Sequence, residues 1–175
     1  MADVSVRPAT PDDVADIARL QLSTWHTAYG SVLPERVLAA LTHDEVAAQW
    51  AAAVEHPPSA EHQVLVALEQ QWPVGFAAIG PSEDPAAPAA GLITTLLVEP
   101  RWGRRGHGSR LLAASVDLLR AGGCPTAVTW LLEQDLVSRA FYTSAGWEPD
   151  GAARALDMDG RLVTEVRLHS SIGED

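Results

Sequence analysis

The sequence predicts an α/β fold, a mixed and mostly antiparallel β-sheet with helices on both faces. Three observations lead there. Strand-like and helix-like segments follow one another as strand, helices, three strands, helix, strand, helix, two strands. One stretch, Gly91–Val98 (GLITTLLV), is almost continuously apolar and reads as a central strand covered on both faces. The chain's 175 residues, 47% hydrophobic and 20% charged, suffice for one well-buried core and leave little for a second.

Each element has a local reason. Residues 4–7 alternate as a short first strand. Thr10-Pro11-Asp12-Asp13 then places a capping threonine, a first-turn proline and an aspartate three residues past the cap, a helix start. Val14, Ile17, Ala18 and Trp25 recur at helical spacing, carrying that helix to about residue 28. Residues 34–41 and 44–54 read as further helical pieces, stopped by His56-Pro57-Pro58. Gln63–Glu69 and residues 74–80 are strands flanking the turn Gln70-Gln71-Trp72-Pro73, and residues 81–90, rich in proline and alanine, form a flexible hairpin loop before the central strand. Residues 109–120 form an amphipathic helix with Leu111, Leu112, Leu118 and Leu119 inward, closed by Gly122-Gly123. Thr126–Leu132 is the next strand, residues 136–145 a helix stopped by Gly146, and residues 147–154 and 162–168 are closing antiparallel strands around a turn at 157–160.

Charge and composition narrow the function. Twelve basic against 23 acidic side chains give a net charge of −11, which argues against general binding to nucleic acid or to an anionic membrane. All twelve basic residues are arginines, so chemistry that needs a lysine, whether a Schiff base or a P-loop, is excluded. A single cysteine, Cys124, suits a reducing compartment and reads as a packed thiol. The six histidines (26, 43, 56, 62, 107 and 169) show no ligand spacing, so no metal site is expected. No apolar run approaches bilayer length, and the opening MADVSVRPAT lacks a basic-then-apolar leader; a cytoplasmic location is expected.

Chemistry concentrates in Leu96-Leu97-Val98-Glu99-Pro100-Arg101-Trp102-Gly103-Arg104-Arg105-Gly106-His107-Gly108-Ser109-Arg110-Leu111-Leu112, where four of the twelve arginines fall in a strand–loop–helix. Glycines 103, 106 and 108 allow a sharp turn with bare N–H groups, and the helix adds unpaired amides and the positive end of its dipole. The order fits a pocket for a phosphorylated ligand. No lysine follows as a P-loop needs, and Leu111 stands where a dinucleotide fingerprint needs glycine.

These residues resemble the acetyl-CoA signature of the GNAT superfamily of N-acetyltransferases: Val98-x-Pro100, then Gly106-x-Gly108-x-x-Leu111-Leu112. The run Glu133-Gln134-Asp135-Leu136-Val137-Ser138-Arg139-Ala140-Phe141-Tyr142-Thr143-Ser144-Ala145-Gly146-Trp147 is similar to the family's second motif, and VRPATPDDVADIARL looks like the first strand and helix of bacterial members. The resemblance covers nearly the whole chain as one acetyltransferase domain, residues 1–175. It implies a GNAT-like fold and acetyl-CoA as co-substrate. Main-chain groups of Leu96 and Val98 would pair with the pantetheine arm, and Arg104, Arg105, Gly106, His107, Gly108 and Ser109 would cradle the pyrophosphate, His107 adding a donor. Gly103 replaces the usual Gln or Arg, passing a phosphate contact to Arg101, Arg104 or Arg105. Asp135, on the cofactor side with Ser138, replaces the usual Asn; it either loses a contact to the pantetheine amide or caps the following helix, and the cap is our reading. The resemblance also implies a homodimer, with the closing strands as its interface.

By the same resemblance Tyr142 is the proton donor to the departing thiolate; the plainer alternative is that it only packs, with Phe141 and Val137 in the core. The strand before Val98 holds no carboxylate to serve as general base. Water at Thr94 or Thr95, His26 or Glu35 stand as candidates, or a low-pKa amine needs none. Trp25 and Tyr29 are either core or one wall of an acceptor pocket that includes Thr94. The expected activity is transfer of acetyl from acetyl-CoA to a primary amine of a small molecule or peptide, by direct attack in a ternary complex. Competing with it are a CoA-binding regulatory module that has lost turnover and an acidic scaffold without a small-molecule ligand.

Overall fold

The computed structural model describes residues 3–173. Seven strands form one sheet in the order β1-β2-β3-β4-β5-β7-β6, where β1 is Val4–Pro8, β2 Gln63–Glu69, β3 Trp72–Pro81, β4 Gly91–Val98, β5 Thr126–Leu132, β6 Glu148–Met158 and β7 Arg161–Ser171. Only β4 and β5 run parallel; the other neighbours are antiparallel. The helices are α1 Val14–Tyr29, α2 Glu35–Ala40, α3 His43–Glu55, α4 His107–Ala121 and α5 Leu136–Ser144. A 3₁₀ turn over Pro11–Asp13 leads into α1, and there Thr10 and Asp13 form the expected capping box. Arg7 holds Asp13 from the end of β1 at 2.7 Å.

Alternation along the strands divides the core between two faces. Ile17 and Leu20 of α1 meet Val64, Val66, Phe76 and Ala78, with Trp50 of α3 edge-on to Phe76 at 5.0 Å between centroids. On the other face Leu111 of α4 packs against Leu65, Ala67, Val74 and Ala77, while Leu112, Leu119 and Tyr142 pack with Ile93, Ala127 and Leu168. Leu33 and Leu38, after α1, close over Val163 of β7.

Three expectations need correction. The central strand is not covered throughout: Gly91 and Ile93 are buried, but residues 94–98 are only partly so, because β5 leaves β4. Val137 is not core; it is 83% exposed, and Tyr142 takes the deep position on α5. The loop after β3 is anchored: Ser82 N–H donates to Ala90 O, and Asp84 pairs with Arg167 of β7, whose Nε also donates to Asp150 of β6 at 2.6 Å. The closing hairpin turns on Asp159 and Gly160, both left-handed (φ 54° and 81°), as a two-residue turn requires.

Candidate active site

The site begins with a defect in a strand. Ala78 pairs with Thr95 and Ile79 with Ile93, so Thr94 is an extra residue in β4, a bulge that bends the strand. Parallel pairing with β5 stops there, since only Gly91, Leu92 and Ile93 have partners, the last being Thr129. The Thr129 hydroxyl donates to Ile93 O at 2.9 Å, pinning the point of divergence. Beyond it residues 95–98, including Leu96 and Val98, keep their pairing with β3 but have none with β5, and Thr94 pairs with neither. The result is a wedge in mid-sheet with unpaired main-chain groups along one wall.

At the open end of the wedge lies the glycine and arginine loop. Arg104 (φ 62°) and Gly106 (φ 82°) both take left-handed backbone, turning the chain so that α4 starts at His107 with Gly106 as its N-cap. No side chain caps this end. The amides of His107, Gly108 and Ser109 therefore have no partner within the helix and sit at the positive end of its dipole. Gly108 leaves room for α5: a Cβ there would press on the Phe141 ring at 3.3 Å.

The four arginines divide into two pairs. Arg101 meets Glu99 at 2.9 Å and Arg105 meets Glu69 at 2.7 Å, and both guanidiniums lie over Trp102. Arg104 has no carboxylate partner among the described residues; Arg110 Nη1 folds back onto Arg105 O at 3.1 Å, over Gly106. Unneutralised positive charge is thus supplied by Arg104 and Arg110, and Arg110 was not foreseen.

His107 is a correction. Its ring is 1% exposed and turned away from the loop surface, with Nε2 2.8 Å from Glu69 Oε2 at the end of β2. Only the His107 main chain is free to face a ligand. The Glu69 carboxyl is held below its ordinary range, first by the His107 bond and then by Arg105, against the opposing effect of desolvation. Nothing local in Gln63–Glu69 announces this link, which spans 38 residues.

On the far wall, Asp135 caps α5, accepting from Ser138 N at 3.0 Å and from Ser138 Oγ at 2.6 Å. It also accepts from the Tyr29 hydroxyl at 2.8 Å, joining the end of α1 to the start of α5. Tyr142 is 3% exposed, edge-on to Phe141 and Trp147, and packs in one cluster with Ile93 at the vertex of the wedge, with Thr129 near its hydroxyl. Burial pushes its phenol well above the usual tyrosine value, Thr129 opposes the shift, and the Asp135 charge adds to it. The group stays protonated.

The wedge thus gathers Leu96, Val98, the loop and Tyr142. Trp25 packs with Leu33 and Leu38 near β7, and Tyr29, in the same cluster, turns its hydroxyl to Asp135 on the far wall. Thr94 is exposed at the bulge and lines a separate recess under α3. His26 and Glu35 are exposed. Among the described residues, no helix is long and apolar enough to cross a membrane.

Comparison with known proteins agrees with this geometry. The model of the acetyltransferase (GNAT) family matches residues 20–147. Over 168 residues the chain is 30% identical to the uncharacterized N-acetyltransferase YuaI of Bacillus subtilis strain 168, covering 94% of this chain and 91% of the relative. The PaiA N-acetyltransferase of Thermoplasma acidophilum, solved in complex with coenzyme A, superposes with a TM-score of 0.79 at 13% identity, over 97% of this chain and 99% of that one. YncA of Salmonella typhimurium, solved with its cofactor acetyl-CoA, gives 0.72 at 19% identity, over 98% and 95%. With the family model matched over residues 20–147 and a relative 30% identical over 168 residues, the chain belongs to the GNAT family of acetyltransferases.

Proposed function

We propose that this protein is an N-acetyltransferase that moves the acetyl group of acetyl-CoA directly onto a primary amine of a small molecule or peptide within a ternary complex. The observation that carries the reading is the wedge between β4 and β5, with Tyr142 at its vertex and the uncapped start of α4 at its mouth. We read the whole chain as one catalytic unit, because the sheet draws strands from residue 4 to residue 171.

The residues present fit the co-substrate. Free main-chain groups around Leu96 and Val98 can accept an amide-bearing arm as if it were an added strand. The amides from Arg104 to Ser109, with the Arg104 and Arg110 guanidiniums, suit a pyrophosphate. Asp135 and Ser138 shape the opposite wall by capping α5. Acetyl-CoA brings the thioester. Tyr142, kept protonated by burial, carries a proton to donate, and it would give that proton to the sulfur that leaves.

A second reading, a CoA-binding regulatory module without turnover, draws on the absence of any carboxylate in β4. Calorimetry with coenzyme A followed by thiol release over an amine panel tells the two apart. Binding together with acceptor-dependent release supports the enzyme; binding without release for any acceptor supports the module; no binding overturns both.

A further inference from the structure

We infer that the recess beside Thr94 is the acceptor site, that it takes an amine carried on an apolar body, and that His62 receives the amine's proton. The inference rests on the acetyltransferase reading above and goes beyond it to the acceptor. The recess holds about 340 Å³, within the range of small-molecule sites. Trp50 and Ala53 of α3 wall one side, Val64 and Ala78 of the sheet the other, and His62 and Thr94 supply polar atoms. Thr94 ties it to the wedge from the other face of the sheet, being both a lining residue and the first residue of β4 past the last pair with β5.

Its chemistry selects the ligand. The chain has 23 acidic residues, and not one lines this recess, so a polyamine finds no counter-charge there, whereas an aliphatic or aromatic arm buries apolar surface. The titratable groups on the walls are His56, exposed at the end of α3, and His62. Glu61, next in the chain, is exposed, and its charge acts on Cys124.

His62 is built into place. Its ring lies flat against Gly80 of β3, where a Cβ would come within 2.7 Å of Cδ2. Gly80 pairs with Leu92, one residue before the wedge opens. Nδ1 is 2.9 Å from Ser59 Oγ, which also accepts the Glu61 amide. With Nδ1–H donating to Ser59, Nε2 keeps its lone pair and can act as a base. The missing strand carboxylate is thereby replaced from the neighbouring strand's approach. In the transfer, the ammonium gives one proton to His62 Nε2, from which it passes to solvent. The neutral nitrogen bonds to the acetyl carbon as the C–S bond breaks. The proton this nitrogen then sheds matches the one the thiolate takes from Tyr142, so amine and thioester become amide and thiol with one proton released.

Three measurements test this. In the protein without acetyl-CoA, 2-phenylethylamine should shift the NMR signals of the Trp50 indole and the His62 ring, and spermidine should not. The variant His62→Gln should lower kcat/KM for 2-phenylethylamine by about 10²-fold. It should also lose the acidic limb of the pH profile, keep the KM for acetyl-CoA, and in the companion His62→Ala recover rate with added imidazole. Ala52→Phe, at an exposed position on the rim, should raise the KM for 2-phenylethylamine without changing coenzyme A affinity. Intact coenzyme A binding with an unshifted Trp50, or an unchanged pH profile in His62→Gln, would overturn the acceptor assignment alone. Loss of coenzyme A binding in the wild type would instead overturn the acetyltransferase reading.

Discussion

Glu69 Oε2 lies 2.8 Å from Nε2 of the buried His107, fastening the last residue of β2 to the first residue of α4. The same carboxylate holds Arg105 at 2.7 Å, so one side chain fixes both sides of Gly106. The loop proposed to receive a diphosphate is thus shaped before any ligand arrives, which would lower the ordering cost of binding.

Acid should expose that fastening. The Glu69 carboxyl titrates below its unfolded value of about 4.3. Its stabilisation is therefore present above that value and is lost as pH falls through the folded one. Glu69→Gln should melt below the wild type at pH 7, and the gap should narrow between about pH 5 and 3. Melting curves across that range check this; a gap independent of pH would contradict it. Asp13 and Asp150, also held below their ordinary range despite burial, add acid sensitivity of the same sign to both proteins.

Gly106→Ala places a Cβ on left-handed backbone at the α4 N-cap. The strain is about 1–2 kcal/mol. If the loop relaxes by reorienting its amides, coenzyme A affinity falls by about tenfold. Calorimetry with coenzyme A measures it, and an unchanged affinity would remove the loop from the phosphate site.

Tyr142→Phe keeps the ring between Phe141 and Trp147 and removes only the hydroxyl at Thr129. Turnover should drop by about 10²-fold, with the KM for acetyl-CoA unaltered. Steady-state kinetics at several acetyl-CoA concentrations decide the point; wild-type turnover would reduce Tyr142 to packing.

Asp135→Ala removes the α5 cap and frees the Tyr29 hydroxyl. The cap alone is worth about 1 kcal/mol, or roughly 2–4 °C in Tm for a chain of this size. Asp135→Asn keeps an acceptor oxygen and should lose less. Equal losses in the two variants would show that charge, not capping, is what Asp135 contributes.

Much of the fold was legible because its signals are local. The Thr10 capping box, the glycine stops after α4 and α5, and the apolar run of β4 each act within a few residues. The strand, loop and helix proposed as the cofactor side are one contiguous segment, so their backbone order was legible for the same reason. What escaped the sequence depends on distant pairing. Glu69 meets His107 across 38 residues, and Arg167 meets Asp84 across 83. The bulge at Thr94 reflects a mismatch between two strands that neither strand carries alone. His62 carries no local sign, because its place is set by Gly80 on another strand. Val137 escaped because helical periodicity ranks positions on a face but does not say which face the sheet will meet.

The split at Ile93 leaves an open ladder edge in the interior of the sheet, where most proteins keep edges only at the rim. On the reading proposed above, residues 95–98 of β4 are a docking slot for extended chain, filled by a ligand's amide backbone. Amide exchange along residues 95–98 becomes a direct gauge of occupancy: fast when the slot is vacant, slow once it is filled. On that reading the coenzyme would serve the protein twice, as reactant and as the missing eighth strand.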